Sequence, residues 1–284
     1  MSWLFLTFMA VIFRAIYGVM TKVLSNRLKV SFYTQATLLP LAGGVIALLL
    51  SPLLGGLSLH LSNVSLVTIL LVVLSQGIGN ITYFSSIKNL TNGTAQITFS
   101  SILLFNTMLS LIFLNLHLSL INVFGLVLLM LAIVSVVTGK IELHRKGVLL
   151  MILSAFIFSI FQLSSGVISK QVGAATYLLI AYLGAALVVF TLKWRVVIKD
   201  LSVASRRSTL GIPLLTAIPS LGNFLFAYYA YRAAPQPAKV AMLLTSQVVV
   251  TVFLSYFFLK EKGHILRKVA AAALVIVSAV MIKA

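Results

Sequence analysis

Apolar runs of about twenty residues recur along this chain, each ended by a short polar or turn-forming break. A run of that length with few charges crosses the hydrocarbon layer as one helix. Ten runs are expected to do so: 3–24, 32–51, 64–87, 94–115, 119–138, 147–168, 174–192, 210–231, 238–259 and 265–282. The breaks include "SNRLKVS", "NLTNG", "GKIELHRK" and "RAAPQPA", which combine turn formers with residues that belong in water. The break near His117, between the fourth and fifth runs, is the least distinct. The longest connection, 193–209, is basic and too short to fold by itself. The expected fold class is therefore all-α integral membrane, with ten transmembrane helices.

Composition agrees. The chain of 284 residues is 61% hydrophobic and 8% charged, and its mean hydropathy is +1.16. A soluble domain carries roughly 25% charged residues to wet its surface. The first run has no basic leader and is long enough to span, so it is expected to stay in the membrane rather than act as a signal peptide. The absence of cysteine excludes disulfides and thiol chemistry. The net charge of +18 has no soluble basic face to sit on, which argues against a nucleic-acid partner. It fits Lys and Arg flanking membrane helices.

The two halves repeat each other. Residues 18–22 read "GVMTK" and residues 166–170 read "GVISK". At that offset Arg14 matches Gln162, Tyr17 matches Ser165, Thr21 matches Ser169 and Lys22 matches Lys170. "IGNITYF" in the third run answers "LGNFLFA" in the eighth, pairing Asn80 with Asn223. The expected units are a five-helix repeat over 1–140 and a second over 141–284, together one membrane domain. Five is odd, so the second repeat enters the membrane from the opposite side. Such an inverted-topology pair is the layout of many secondary transporters, with the substrate near the midplane between the halves.

"YGVMTK" closing the first helix, "YFSSIKN" and "YYAYRAAP" closing the third and eighth, and "FLKEKGH" between the ninth and tenth resemble the drug/metabolite transporter superfamily, and within it the EamA-like permeases. The resemblance covers the whole chain. It implies a central cavity lined by the first, third, fourth, sixth, eighth and ninth helices, with the fifth and tenth peripheral. It also implies export and both termini in the cytoplasm. The chain departs from the family at Arg14, where Trp is frequent, and at Gln247-Val248, where Glu-Pro is frequent. A third departure is His117, which stands in the first half where the second half has Glu261.

The residues themselves point to a polar cavity. Arg14 is the one charge near the middle of a run, and ionisable groups in hydrocarbon are costly and usually functional. On a helix it shares a face with Tyr17, Gly18 and Thr21, and the matching face of the sixth helix holds Gln162, Ser165, Gly166 and Ser169. The candidate substrate-binding set is Arg14, Tyr17, Thr21, Asn80, Tyr83, Gln162, Ser165, Asn223, Tyr228 and Gln247. Gln76, Gln96, Ser100, Asn106 and Tyr231 are further buried polar groups that either face the cavity or join helices. All three acids, Glu142, Asp200 and Glu261, are expected in connections, which leaves no carboxylate in the membrane to carry a proton or a cationic drug. A site built on Arg14 instead suits an anionic or zwitterionic solute. His60, His117, His144 and His264 fall in connections or at helix ends and pair with no carboxylate at metal-ligand spacing, so neither enzyme, metal nor cofactor is expected.

The function expected is a permease or exporter working by alternating access on a small polar metabolite such as an amino acid. It would act as a monomer in the inner or plasma membrane, with the small molecule and the lipid bilayer as its partners. The alternative is a flippase or an accessory protein for lipid-linked substrates.

Charge sets the orientation. Sixteen of the 21 Lys and Arg residues flank connections 1–2, 3–4, 5–6, 7–8 and 9–10, and four lie on the other side. The positive-inside rule puts the basic end in the cytoplasm and both termini outside, against the family habit. A C-terminal reporter that fluoresces only in the cytoplasm should therefore stay dark; a bright one overturns the assignment.

Overall fold

The computed structural model describes residues 2–57, 65–114, 119–137, 145–206, 211–235, 237–261 and 263–283. His60, His117, Glu142 and His144 lie outside them. The described chain is all helical, with no strand. Its elements are α1 (Trp3–Arg27), α2 (Phe32–Leu50), α3 (Leu66–Ile87), α4 (Asn92–Phe99), α5 (Ile102–Leu114), α6 (Leu120–Val137) and α7 (Arg145–Ile168), followed by α8 (Ala174–Leu179), α9 (Ala185–Arg206), α10 (Gly211–Ala233), α11 (Pro237–Leu244), α12 (Gln247–Phe258) and α13 (Ile265–Lys283). Among the described residues seven stretches are long and apolar enough to cross a membrane: α1, α2 with the turn after it, α3, α4–α5, α7, α8–α9 and α10. The protein is a multi-pass membrane protein.

Local chemistry starts these helices. Ser2, Ser31 and Thr91 cap α1, α2 and α4, their side-chain oxygens accepting from the backbone N–H groups of Phe5, Thr34 and Thr94. Once formed, the helices turn their apolar surface outward. Leu49, Phe113, Leu120, Phe258 and Leu266 are all more than 70% exposed, while Gln35, Thr34, Asn92, Gln96 and Asn106 are buried. That arrangement is stable only against hydrocarbon.

Three runs differ from their expected form. The stretch expected at 94–115 breaks at Ser100-Ser101, and the one at 238–259 breaks at Thr245-Ser246, 145 positions later. At both breaks the ladder tightens: Ser101 N–H donates to the carbonyl of Thr98, and Ser246 N–H to that of Leu243. Short polar side chains satisfy the local backbone, with Ser100 donating to the carbonyl of Ile97 and Ser246 to that of Leu243. The third difference lies at 174–192. After α8 the chain passes through a π-helical turn at Ile180–Gly184, bends at Lys193 (φ −141°, ψ 34°) and continues helical to Arg206. Asp200 therefore sits on a helix rather than in a connection. The continuation carries Lys193, Arg195, Lys199 and Asp200 but buries Val197, the amphipathic pattern of a helix at the water interface.

The halves interleave. α7 packs along α3 and α5, and α1 along α10 and α12, so each bundle takes helices from both halves of the chain; α2 pairs with α9 and α6 with α13. Small residues set the approach of α2 to the π-helical turn. A Cβ at Gly43 would stand 2.7 Å from the Tyr182 ring. That ring is held by a 2.7 Å hydrogen bond between its hydroxyl and Ser220 and by Phe224, 4.8 Å away between centroids. Gly43→Ala should destabilise the protein by about 1–3 kcal/mol through overpacking, whereas Gly211→Ala, which meets open space, should leave the melting temperature in detergent unchanged. Equal melting temperatures for the two variants would contradict this packing.

Candidate functional site

The two bundles enclose a cavity of about 70 Å³ of water-reachable space, room for several waters. Its wall comes from α1 (Arg14, Tyr17, Gly18), α3 (Gln76, Asn80, Tyr83), α4 (Gln96, Phe99), α7 (Phe158, Phe161, Gln162), α8 (Tyr177), α10 (Asn223, Phe224, Ala227, Tyr231) and α12 (Gln247). Periodicity places them: Gln76, Asn80 and Tyr83 recur at i, i+4 and i+7 on one face of α3. The breaks in α4–α5 and α11–α12 bring Gln96 and Gln247 to the same level, where Gln247 Nε2 donates to Gln96 Oε1 (3.3 Å) and Gln96 Nε2 to the Tyr83 hydroxyl (2.7 Å).

Among the described residues Arg14 is the only charged one on this wall. With the Gln162 amide turned so that its oxygen faces α1, that oxygen accepts from Arg14 Nη1 at 2.8 Å and Nη2 at 3.3 Å. The nitrogen of the turned amide then faces Asn106 at 2.8 Å, and with the Asn106 amide turned as well its otherwise unpartnered oxygen accepts from Gln162 Nε2. The guanidinium also stands 5.7 Å from the Phe99 ring centroid, a cation–π contact of about 0.5–2 kcal/mol. Phe99 begins an aromatic wall. It meets Tyr83 and Phe158 edge-on, both at 5.7 Å between centroids for Phe99; Phe158 meets Phe161 at 6.1 Å, and Phe161 meets Phe224 at 5.6 Å. The site thus offers one cation, a set of amides and hydroxyls, and a rigid aromatic surface. Among the described residues it offers no carboxylate. Asp200 is engaged elsewhere, accepting from Ser31 N–H (2.8 Å) and the Thr34 hydroxyl (2.6 Å), and Glu261 lies beyond the end of α12.

Seven of the ten residues expected from the sequence line the cavity: Arg14, Tyr17, Asn80, Tyr83, Gln162, Asn223 and Gln247. Three do not. The Thr21 hydroxyl donates to the carbonyl of Tyr17 within its own helix (2.6 Å). Ser165 is buried in α7 one turn away from the wall. Tyr228 turns from the cavity to donate to the carbonyl of Val172 (2.8 Å), its ring stacked on Tyr177. The sequence reading left out the aromatic wall and Tyr177, because an aromatic residue in an apolar run carries no mark of which side of its helix faces a cavity. The matched pairs Ser100-Ser101 and Thr245-Ser246 were the available signal for the breaks.

The model of the EamA-like transporter family matches this chain twice, over residues 1–138 and 145–283. The chain belongs to the EamA-like transporter family. This EamA protein is built from two copies of one family unit. Its fold is also similar to a solved crystal structure, with a TM-score of 0.66 and 15% identity over 98% of this chain and 95% of that one. No curated protein matches it. Membership makes the cavity between the bundles of this EamA chain the place to look for a transported solute, and it makes the chain a transporter by family.

The pairing across the cavity has a measurable consequence. Gln162→Leu removes the acceptor of a buried guanidinium and should cost about 1–3 kcal/mol. Gln162→Glu places a carboxylate opposite Arg14 and should melt no lower than the native protein in detergent. A large loss of stability in Gln162→Glu would mean that Arg14 is not its neighbour.

Proposed function

We propose that this EamA-family protein is a permease of ten membrane crossings, arranged as inverted five-helix repeats over 1–140 and 141–284. It moves a small anionic or zwitterionic metabolite, such as an amino acid, by alternating access. The reading rests on one observation: the guanidinium of Arg14 sits on the cavity wall with an amide as its partner and, among the described residues, no acid beside it. A charge held in that state is stabilised further by a carboxylate or phosphate arriving with the solute, through charge-assisted and bidentate hydrogen bonds. The matched breaks 145 positions apart support the ten-crossing count, since α4–α5 and α11–α12 then each make one interrupted crossing.

In this reading Tyr17, Asn80, Tyr83, Gln162, Asn223 and Gln247 bind the polar part of the solute, while the aromatic wall excludes water. One protomer suffices, and no metal or cofactor takes part. The chain sits in the inner or plasma membrane with its basic end in the cytoplasm. A carrier without a membrane carboxylate has no obvious proton carrier, so uniport or exchange is its simplest coupling.

The test uses purified protein in detergent and proteoliposomes, with a panel of amino acids, organic acids and sugar phosphates. Any ligand that raises the melting temperature is taken forward. Arg14→Gln should weaken its binding roughly ten- to a hundredfold with little change in the unliganded melting temperature. Arg14→Lys should restore part of the affinity, since an ammonium keeps the charge but not the fork. A destabilised Arg14→Gln protein that binds normally would remove Arg14 from the site. Ligand-independent stimulation of lipid exchange between leaflets would favour a flippase instead.

A further inference from the structure

The repeated pentapeptides lie in the last turns of α1, which runs on to Arg27, and at the end of α7, which stops at Ile168; the two helices belong to different bundles, and their lysines are in opposite states. Lys22 Nζ donates to the carbonyls of Ile87 (2.6 Å) and Leu90 (2.7 Å), reaching from α1 to the end of α3. Beside it the Glu261 carboxylate accepts from the backbone N–H groups of Asn92 (2.7 Å) and Gly93 (3.1 Å) at the start of α4. The same carboxylate pairs with Lys268 at 3.5 Å. Asn92 Nδ2 donates to Ser255 Oγ of α12 (2.8 Å). The Lys22 bonds run from α1 to the end of α3, the Glu261 and Asn92 bonds join the end of α12 to the start of α4, and all lie at the basic end of the molecule.

The opposite end is built differently. Lys170 is exposed, and among the described residues its ammonium makes no hydrogen bond or ion pair. Aligning the starts of α4 and α11 maps Ile87 onto Arg232 and Leu90 onto Pro235, so the end of α10 carries backbone carbonyls where a mirrored Lys22 would find its acceptors. α11 begins at Pro237, which has no N–H to offer a carboxylate, and the sequence after α5 reads "NLHL", with no acid in place of Glu261. Tyr228 and Val172 make the tie described above at this end.

We propose that Lys22 and Lys170 are alternating latches of the transport cycle. In the conformation described here Lys22 closes the basic end. In its counterpart Lys22 lets go, and Lys170 donates to the carbonyls of Arg232 and Pro235 to close the other end. The Glu261 bonds exist on one side alone, so the conformation closed at the basic end is favoured at rest. An inverted repeat makes this exchange natural, because each latch is the symmetry mate of the other. The inference rests on the alternating-access reading but not on the identity of the solute or on Arg14.

The chain has no cysteine, so pairs of spin labels can be placed in the full protein without further change. One pair, Asn89→Cys with Gly263→Cys, spans the basic end; the other, Gln171→Cys with Ala233→Cys, spans the opposite end, and all four positions are exposed. Distances are measured by electron–electron resonance in nanodiscs. Lys22→Met should lengthen the first distance and shorten the second, raising the ratio of basic-end-open to basic-end-closed protein roughly ten- to a hundredfold. Lys170→Met should act in the reverse sense, depleting whatever basic-end-open population the native protein has. If the native protein shows two distances at each end and the lysine variants leave their proportions unchanged, the latches are wrong while alternating access stands. If every protein, native and variant, shows one fixed distance at each end, alternating access fails and the latches with it. A Lys22→Met protein that melts lower but keeps the native distance proportions has lost a helix cap, and that result also overturns the proposal.

Discussion

A hydrocarbon exterior leaves the polar side chains of this chain one place to go, the space between helices. Backbone groups follow the same rule, since lipid can hydrogen-bond none of them. The rest of the architecture answers to that constraint. Leu and Phe side chains face outward, amides and hydroxyls face inward, and the interruptions at Ser100-Ser101 and Thr245-Ser246 fall where serine hydroxyls satisfy the loosened backbone. Arg14 is the extreme case. Its charge lies too far from either end to reach water along its own stem, so it is held by an amide from the other half of the chain and by an aromatic ring.

Duplication turns this constraint into a site. Each bundle draws helices from both copies of the EamA unit, so a cavity between bundles is also a cavity between copies. Residues at equivalent positions then meet face to face across it. Arg14 and Gln162 are such a pair, and the matched Asn80 and Asn223 both line the same cavity. The copies differ at two chemically telling positions: an arginine opposes a glutamine, and the acid at the end of α12 has no counterpart in the sequence after α5. An exact duplication would make the two ends equivalent. The divergence makes them different, which a carrier with a resting state needs.

The two acids among the described residues contribute by their positions. Both belong to the second half and both reach helix starts in the first: Asp200 at α2 and Glu261 at α4. A carboxylate at a helix N-terminus satisfies orphan N–H groups and lies along the favourable direction of the helix dipole. At the water interface this arrangement costs little desolvation, and it ties the halves together at their basic end.

The membrane class, most helix positions, the duplication and the importance of Arg14 were legible in the sequence, because each depends on local pattern. Run length against bilayer thickness counts the helices, and a single charge in a long apolar run is conspicuous against its background. The pairing of Arg14 with Gln162 was also legible, through the offset between copies. Tertiary structure alone decided which polar residues reach the cavity. Thr21 and Tyr228 have the right chemistry, but their hydroxyls are taken by the carbonyls of Tyr17 and Val172. Ser165 shares a helix with Gln162 yet stays off the wall. The aromatic wall, the broken crossings and the different states of Lys22 and Lys170 belong to the same group. Each depends on how far a helix is rotated and what packs against it, and sequence periodicity gives the face of a helix without giving its neighbour.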